Sequence, residues 1–231
     1  MRRFIALTTL LLGFAGCRAP LVPIAPGAVR FVRGAPQDDD PEKKPGDFLG
    51  QVSATFMGQA GLVGDEVLFG FASDKAATLW LGEHYDLAFV WGNWLLGVEG
   101  MLLLHDGPGG RIGITHGVGG TLLLESRSPE DTTALRNPTL LLDPMLGLFV
   151  ETRLGRGSVF FNGKYTHAYE LIPGAVKRPN HHASAAFGYL WRVGRIRVAP
   201  ELIVVRSWWS PGTRGPTGWF VEPGIGLSGL F

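Results

Sequence analysis

The sequence predicts an all-β protein: an antiparallel up-and-down transmembrane β-barrel of ten strands, or eight if the first hairpin is left out. A signal peptide and a disordered tether precede it. Three observations carry this reading. From residue 47 onward apolar residues recur at every second position. The connections between these alternating segments are by turns long and short. The last alternating segment ends on Phe231.

Composition sets the frame. Hydrophobic residues make up 45% of the 231 residues and charged ones 18%, against about 25% charged in a soluble domain. A soluble protein this apolar needs a large core, whereas a membrane barrel turns its apolar residues outward. A formal net charge of +1 leaves no electrostatic footprint for nucleic acid. Cys17 is the single cysteine, which excludes an intrachain disulfide and a cysteine metal cluster.

Arg2 and Arg3 precede an apolar run, Phe4 to Gly16. The run is too short to span a bilayer and has the size of a signal-peptide core. It stops at Phe14-Ala15-Gly16-Cys17. This resembles the bacterial lipobox, with Phe14 where that family usually has Leu. The resemblance implies that Cys17 becomes the first mature residue and carries lipid. Arg18, in place of the Asp usual in inner-membrane lipoproteins, points by the same resemblance to the outer membrane. The alternatives are an ordinary signal cut elsewhere, for example after Ala19 ahead of Pro20, and a retained anchor. Residues 1–16 thus read as signal peptide and 17–46 as a lipidated N-terminus with a flexible linker. That linker is rich in Pro and carries a solvated charge run, Asp38-Asp39-Asp40 and Glu42-Lys43-Lys44. Residues 47–231 form the barrel.

The clearest strand is 138–154. Leu140, Leu142, Leu146, Leu148, Val150 and Leu154 share one face, opposite Asp143, Gly147, Glu151 and Arg153. In 111–125, Ile112, Ile114, Val118, Leu122 and Leu124 alternate with Arg111, Thr115, Thr121, Glu125 and glycines. Segments 95–104, 158–168, 183–193, 195–206 and 218–231 repeat the pattern. Residues 77–91 keep one parity apart from Glu83, which either lies at a membrane rim or divides the segment in two. Residues 47–57 and 65–73 form the first hairpin.

Read back from the C-terminus, the connections 207–217, 194, 169–182, 155–157, 126–137 and 106–110 alternate long and short. Long loops belong outside and short turns in the periplasm. The connection 92–94 is short where a loop is expected. An even strand count puts both ends of the barrel on the periplasmic side. Gly226, Gly229 and Phe231 in the final strand resemble the C-terminal signal read by the barrel-assembly machinery. Together with the leader, they make the chain similar to the small bacterial outer-membrane barrels, OmpA-like or OmpW-like in general class. The resemblance implies an outer-membrane location, with outer-membrane lipid and the assembly machinery as partners; the charge balance predicts no nucleic acid, and no cofactor is expected.

The inward face gathers Glu99, Glu125, Asp143, Glu151, Arg153, Lys164, Arg192, Arg195, Arg197, Glu201 and Glu222. These are either a polar pathway or an ion-pair network filling the interior, since buried charges need partners and small barrels have little spare room. His182-Ala183-Ser184 resembles the His-x-Ser pair of an outer-membrane lipid A deacylase family, with Glu201 or Glu222 as a third member. Ser184, however, falls on the inward face, away from lipid. His84, His105, His116 and His167 show no shared metal spacing. His116 and His167 fall on the apolar face. Trp208-Trp209 opens a long loop and reads as an interfacial anchor. The leading expectation is therefore a barrel with a structural, adhesive or envelope-organising role and no catalytic site. The alternatives are a narrow pore or small-solute binder, and a lipid A-modifying hydrolase using His182 and Ser184.

Overall fold

A computed structural model describes residues 27–33, 50–63, 66–82, 84–92, 95–123, 139–155, 157–172, 181–193, 196–208 and 218–230. Cys17, Glu83, Glu125, Arg195, Trp209 and Phe231 lie outside the described residues, as does the acidic run at 38–40.

Eleven strands follow in order: β1 Gly50–Val63, β2 Glu66–Trp80, β3 Tyr85–Gly92, β4 Leu95–Gly107, β5 Gly110–Leu123, β6 Thr139–Leu154, β7 Gly157–His167, β8 Tyr169–Ile172, β9 His181–Val193, β10 Ile196–Trp208 and β11 Gly218–Leu230. Each long strand pairs antiparallel with its neighbours, and β1 pairs with β11. The short β8 continues the line of β7 along β6. The result is a closed barrel of ten strands, which leaves no sheet edge unpaired within lipid. The parity-keeping stretch 77–91 is two strands, divided at Leu81–His84, where Gly82 takes a φ of +77° that favours glycine.

The two ends differ. At one, the turn end, the strands are joined by tight connections such as Pro108-Gly109. At the other, the loop end, Leu123 is separated from Thr139, Ile172 from His181 and Trp208 from Gly218.

Alternation fixes the two faces. Leu146 is 60% exposed and Leu96 72%, whereas Asp143 and Glu99 on the same strands are buried. Leu104, Leu148, Trp191, Leu202, Trp219 and Ile225 also face outward. Around a soluble protein this continuous apolar exterior would drive association. Around a transmembrane barrel it is the lipid contact. No helix among the described residues is long and apolar enough to cross a membrane.

The interior is filled rather than hollow in its turn-end half. Met57, Met101, Phe149, Phe160 and Ile203 pack from the wall against Ala28, Val29, Phe31 and Val32. These last four come from the stretch that composition assigns to the tether. Gly27–Arg33 therefore departs from the rest of that reading: it lies inside the barrel.

Candidate functional site

The site is the lumen with its inserted segment. Gly27 begins it. A Cβ on this residue would press on Thr55 Oγ1 and stand 2.6 Å from Glu201 Oε1, so a larger residue would push these side chains aside. Its N–H donates to Asp74 Oδ2 at 2.7 Å, and the N–H of Ala28 donates to Glu201 Oε2 at 2.9 Å. A single 3-10 turn, Ala28–Phe31, follows. Such a short piece leaves most of its backbone groups without internal partners, so the wall must supply them.

The wall does so. The carbonyl of Arg30 accepts from Thr78 Oγ1 at 2.9 Å and from the Gln51 amide. That amide also reaches the Val29 carbonyl at 3.2 Å. Arg111 Nη1 donates to the Phe31 carbonyl at 2.9 Å. The N–H of Arg33 donates to Glu151 Oε2 at 3.3 Å. The Phe31 ring meets Phe149 edge to face, with centroids 6.3 Å apart.

Ion pairs surround these bonds. Arg30 donates to Glu99 Oε2 through Nη2 at 2.5 Å and through Nε at 3.2 Å. Lys164 Nζ meets the same oxygen at 2.8 Å. Arg33 pairs with Asp86, lies 3.8 Å from Asp106, and stacks over Trp80 at 4.6 Å. Arg111 Nη2 meets Asp86 Oδ2 at 2.9 Å, and Arg153 Nη2 meets Asp106 Oδ1 at 3.1 Å. Glu222 Oε1 accepts from Gln59 Nε2 at 2.6 Å.

The partners give the segment a direction. Thr55, Asp74 and Glu201 sit in the middle of their strands, whereas Trp80, Asp86 and Asp106 sit at the turn end. The chain thus descends from mid-lumen at Gly27 to the turn end at Arg33. The electrostatics explain its fit. Among the described residues the wall buries Asp74, Asp86, Glu99, Asp143, Glu151, Glu201 and Glu222 but only Arg111, Lys164 and Arg197 as cations. Arg30 and Arg33 offset that imbalance, which matters because buried charge without a partner is costly.

Of the inward charges expected from sequence, Glu99, Glu151, Arg153 and Lys164 join the ion pairs and Glu201 accepts from the segment's backbone. Asp143, Arg197, Glu201 and Glu222 are buried inward, and Arg192 is half-buried on the same parity of β9. Sequence reasoning missed Asp74, Asp86 and Asp106 on the wall and Arg30 and Arg33 in the segment. One signal was present. Gly27-Ala28-Val29-Arg30-Phe31-Val32-Arg33 is apolar between its two arginines and unlike the Pro-rich and charged residues on either side. His182 is buried, and its Nδ1 shares a hydrogen bond with Ser207 Oγ at 2.9 Å. Ser184 lies inward on the same face of β9. A hydrolase built on this pair would face the lumen rather than lipid. On the exterior, Tyr85 Oη bonds His116 Nε2 at 3.2 Å. No group of three His, Cys, Asp or Glu residues with metal-site geometry occurs among the described residues.

No protein-family model matches the chain, and no curated protein does. Among solved structures it is similar to Neisserial surface protein A (NspA), at 8% identity and a TM-score of 0.34, covering 78% of this chain and 96% of that one. It is similar to the outer membrane protease OmpT from Escherichia coli, at 12% identity and a TM-score of 0.39, covering 79% and 94%. The translocator domain of the autotransporter NalP from Neisseria meningitidis matches at 12% identity and a TM-score of 0.36, covering 78% and 88%. The assignment rests on register and surface: a closed, antiparallel ten-strand barrel with an apolar belt has the architecture of a bacterial outer-membrane β-barrel.

Proposed function

We propose that this protein is an outer-membrane barrel with a structural or envelope-organising role, closed to solutes by its own Gly27–Arg33 segment. The observation that carries the reading is the bonding of that segment. Asp74, Glu201, Glu99, Gln51, Thr78, Arg111, Glu151 and Asp86 hold it from strands around the wall. A pore for small solutes needs an open, hydrated path, and here the turn-end half of the path is occupied by Phe31 and two guanidinium groups. The apolar belt supports the outer membrane as its location, with the turn end toward the periplasm.

Planar-bilayer recording tests this reading. The intact protein inserts without steady conductance, and a variant lacking residues 27–33 conducts. Steady conductance from the intact barrel would make it a pore. The hydrolase alternative is tested by mass spectrometry of lipid A, which keeps its acyl chains whether or not the protein is expressed.

A further inference from the structure

Two histidines and a tyrosine converge on the outer surface near the loop end. Tyr165 and His167 are two residues apart on β7, so they share the exterior face. His181, the first residue of β9, pairs directly with His167. His181 Nδ1 lies 2.5 Å from Tyr165 Oη and 3.2 Å from His167 Nδ1. The His181 ring stacks on Trp208 with centroids 5.8 Å apart and planes 12° apart. The His167 ring stands against Tyr169 with centroids 4.2 Å apart. Aromatic neighbours therefore flank both imidazoles, and His181 Nδ1 is the atom that Tyr165 and His167 both approach.

Protons alone serve that point poorly. A neutral imidazole Nδ1 offers one donor or one acceptor. Here a single Nδ1 meets two heteroatoms, so it must divide one lone pair or one proton between them. A metal ion satisfies all three groups at once. Nitrogens bound tetrahedrally at about 2.0–2.1 Å from an ion lie about 3.3 Å apart, close to the 3.2 Å found between His167 and His181. Tyr165 is 44% exposed, which leaves its ring room to adjust.

We propose that Tyr165, His167 and His181 form a surface site for a divalent first-row transition ion, with solvent completing the coordination shell. On binding, Tyr165 releases its phenol proton to solvent and coordinates as phenolate. Both imidazoles bind neutral through Nδ1 and keep their proton on Nε2. Nitrogen and phenolate ligands suit borderline ions, and Cu2+ stands highest in the affinity order for such donors. The site lies on the outer face near the loop end, so its ion comes from outside the barrel and not from the lumen. An internal control exists on the same surface. Tyr85 and His116 also share a hydrogen bond, at 3.2 Å, but form a two-membered pair without a second imidazole.

The test is Cu2+ titration of the untagged, folded barrel in detergent micelles, followed by electron paramagnetic resonance and visible absorption. The expected result is one ion per chain, with hyperfine structure from two imidazole nitrogens and a phenolate charge-transfer band. His181→Ala weakens binding at least about tenfold, the lower end of what loss of a supporting group costs a metal site. Tyr165→Phe removes the charge-transfer band and keeps the nitrogen signal. His116→Ala changes neither. Heat-modifiable mobility on gels confirms that each variant is folded. The proposal is overturned if the double variant His167→Ala/His181→Ala binds Cu2+ as tightly as the wild type, or if the folded wild type binds none.

Discussion

Arg30, from the chain ahead of the barrel, places Nη2 2.5 Å from Glu99 Oε2 on β4, and both side chains are buried. Lys164 on β7 meets the same carboxylate oxygen at 2.8 Å. One carboxylate therefore joins the inserted segment to two strands of the wall. Glu99→Gln leaves both cations without that charge. Removing one partner of a buried pair costs about 3–5 kcal/mol. The gel temperature at which the folded barrel converts to the unfolded form should fall clearly, and Arg30→Met/Glu99→Gln should restore part of the loss. An unchanged conversion temperature in Glu99→Gln would show that the pair is not buried as described.

Gly226 provides a way to expel the segment without touching a charge. A Cβ there would lie 2.8 Å from Val29 Cγ1. Its neighbours on β11 keep their register with β1 and β10, so the barrel itself has room to form. Gly226→Leu should give a folded barrel that conducts in planar bilayers. A silent, folded Gly226→Leu barrel would mean that the lumen is closed by something other than Gly27–Arg33.

The lipid-facing belt predicts a depth-dependent penalty. Leu146 lies near the middle of the exterior and is 60% exposed, whereas Leu154 ends β6 at the turn end. Arginine costs about 2–4 kcal/mol at the bilayer midplane and about 0–1 near the interface. Equilibrium unfolding from vesicles should therefore show a large loss for Leu146→Arg and a small one for Leu154→Arg. Equal losses would place the belt elsewhere on the wall.

Lipidation of Cys17 is tested apart from the barrel. Globomycin should cause the precursor to accumulate, and Cys17→Ala should block acylation, read by incorporation of labelled fatty acid. Unaltered processing under both treatments would favour an ordinary signal peptide.

The wall was legible in the sequence because the membrane imposes a simple rule on it. Leu140, Leu142, Leu146 and Leu148 must meet lipid, so Asp143 and Glu151 must point inward. The strand count stayed open between eight and ten because β1 turns the apolar Met57 inward among Gln51, Ser53, Thr55 and Gln59, and carries small residues such as Ala54 and Gly58 on its outer face. That contrast is weak. The contents of the lumen were not legible, and the reason is sequence distance. Gly27 bonds Asp74, Ala28 bonds Glu201 and Arg33 bonds Asp86. No local period marks a partner that far along the chain. Asp86 illustrates the point: alone it is one acid in an apolar strand, and only Arg33 and Arg111 give it a purpose. The His167–His181 contact was hidden in the same way, because closure of β7 against β9 creates it.

The most direct measurement is a cross-link between the inserted segment and the wall. Val29 Cβ lies 2.9 Å from the position a Cβ on Gly226 would take, so a small adjustment brings two cysteines within the roughly 3.5–4.5 Å Cβ separation of a disulfide. In a chain carrying Cys17→Ala, Val29→Cys and Gly226→Cys, mild oxidation of native membranes should give a faster-migrating, reducible species. Free thiols at both positions after oxidation of the folded barrel would contradict a lumen occupied by Gly27–Arg33.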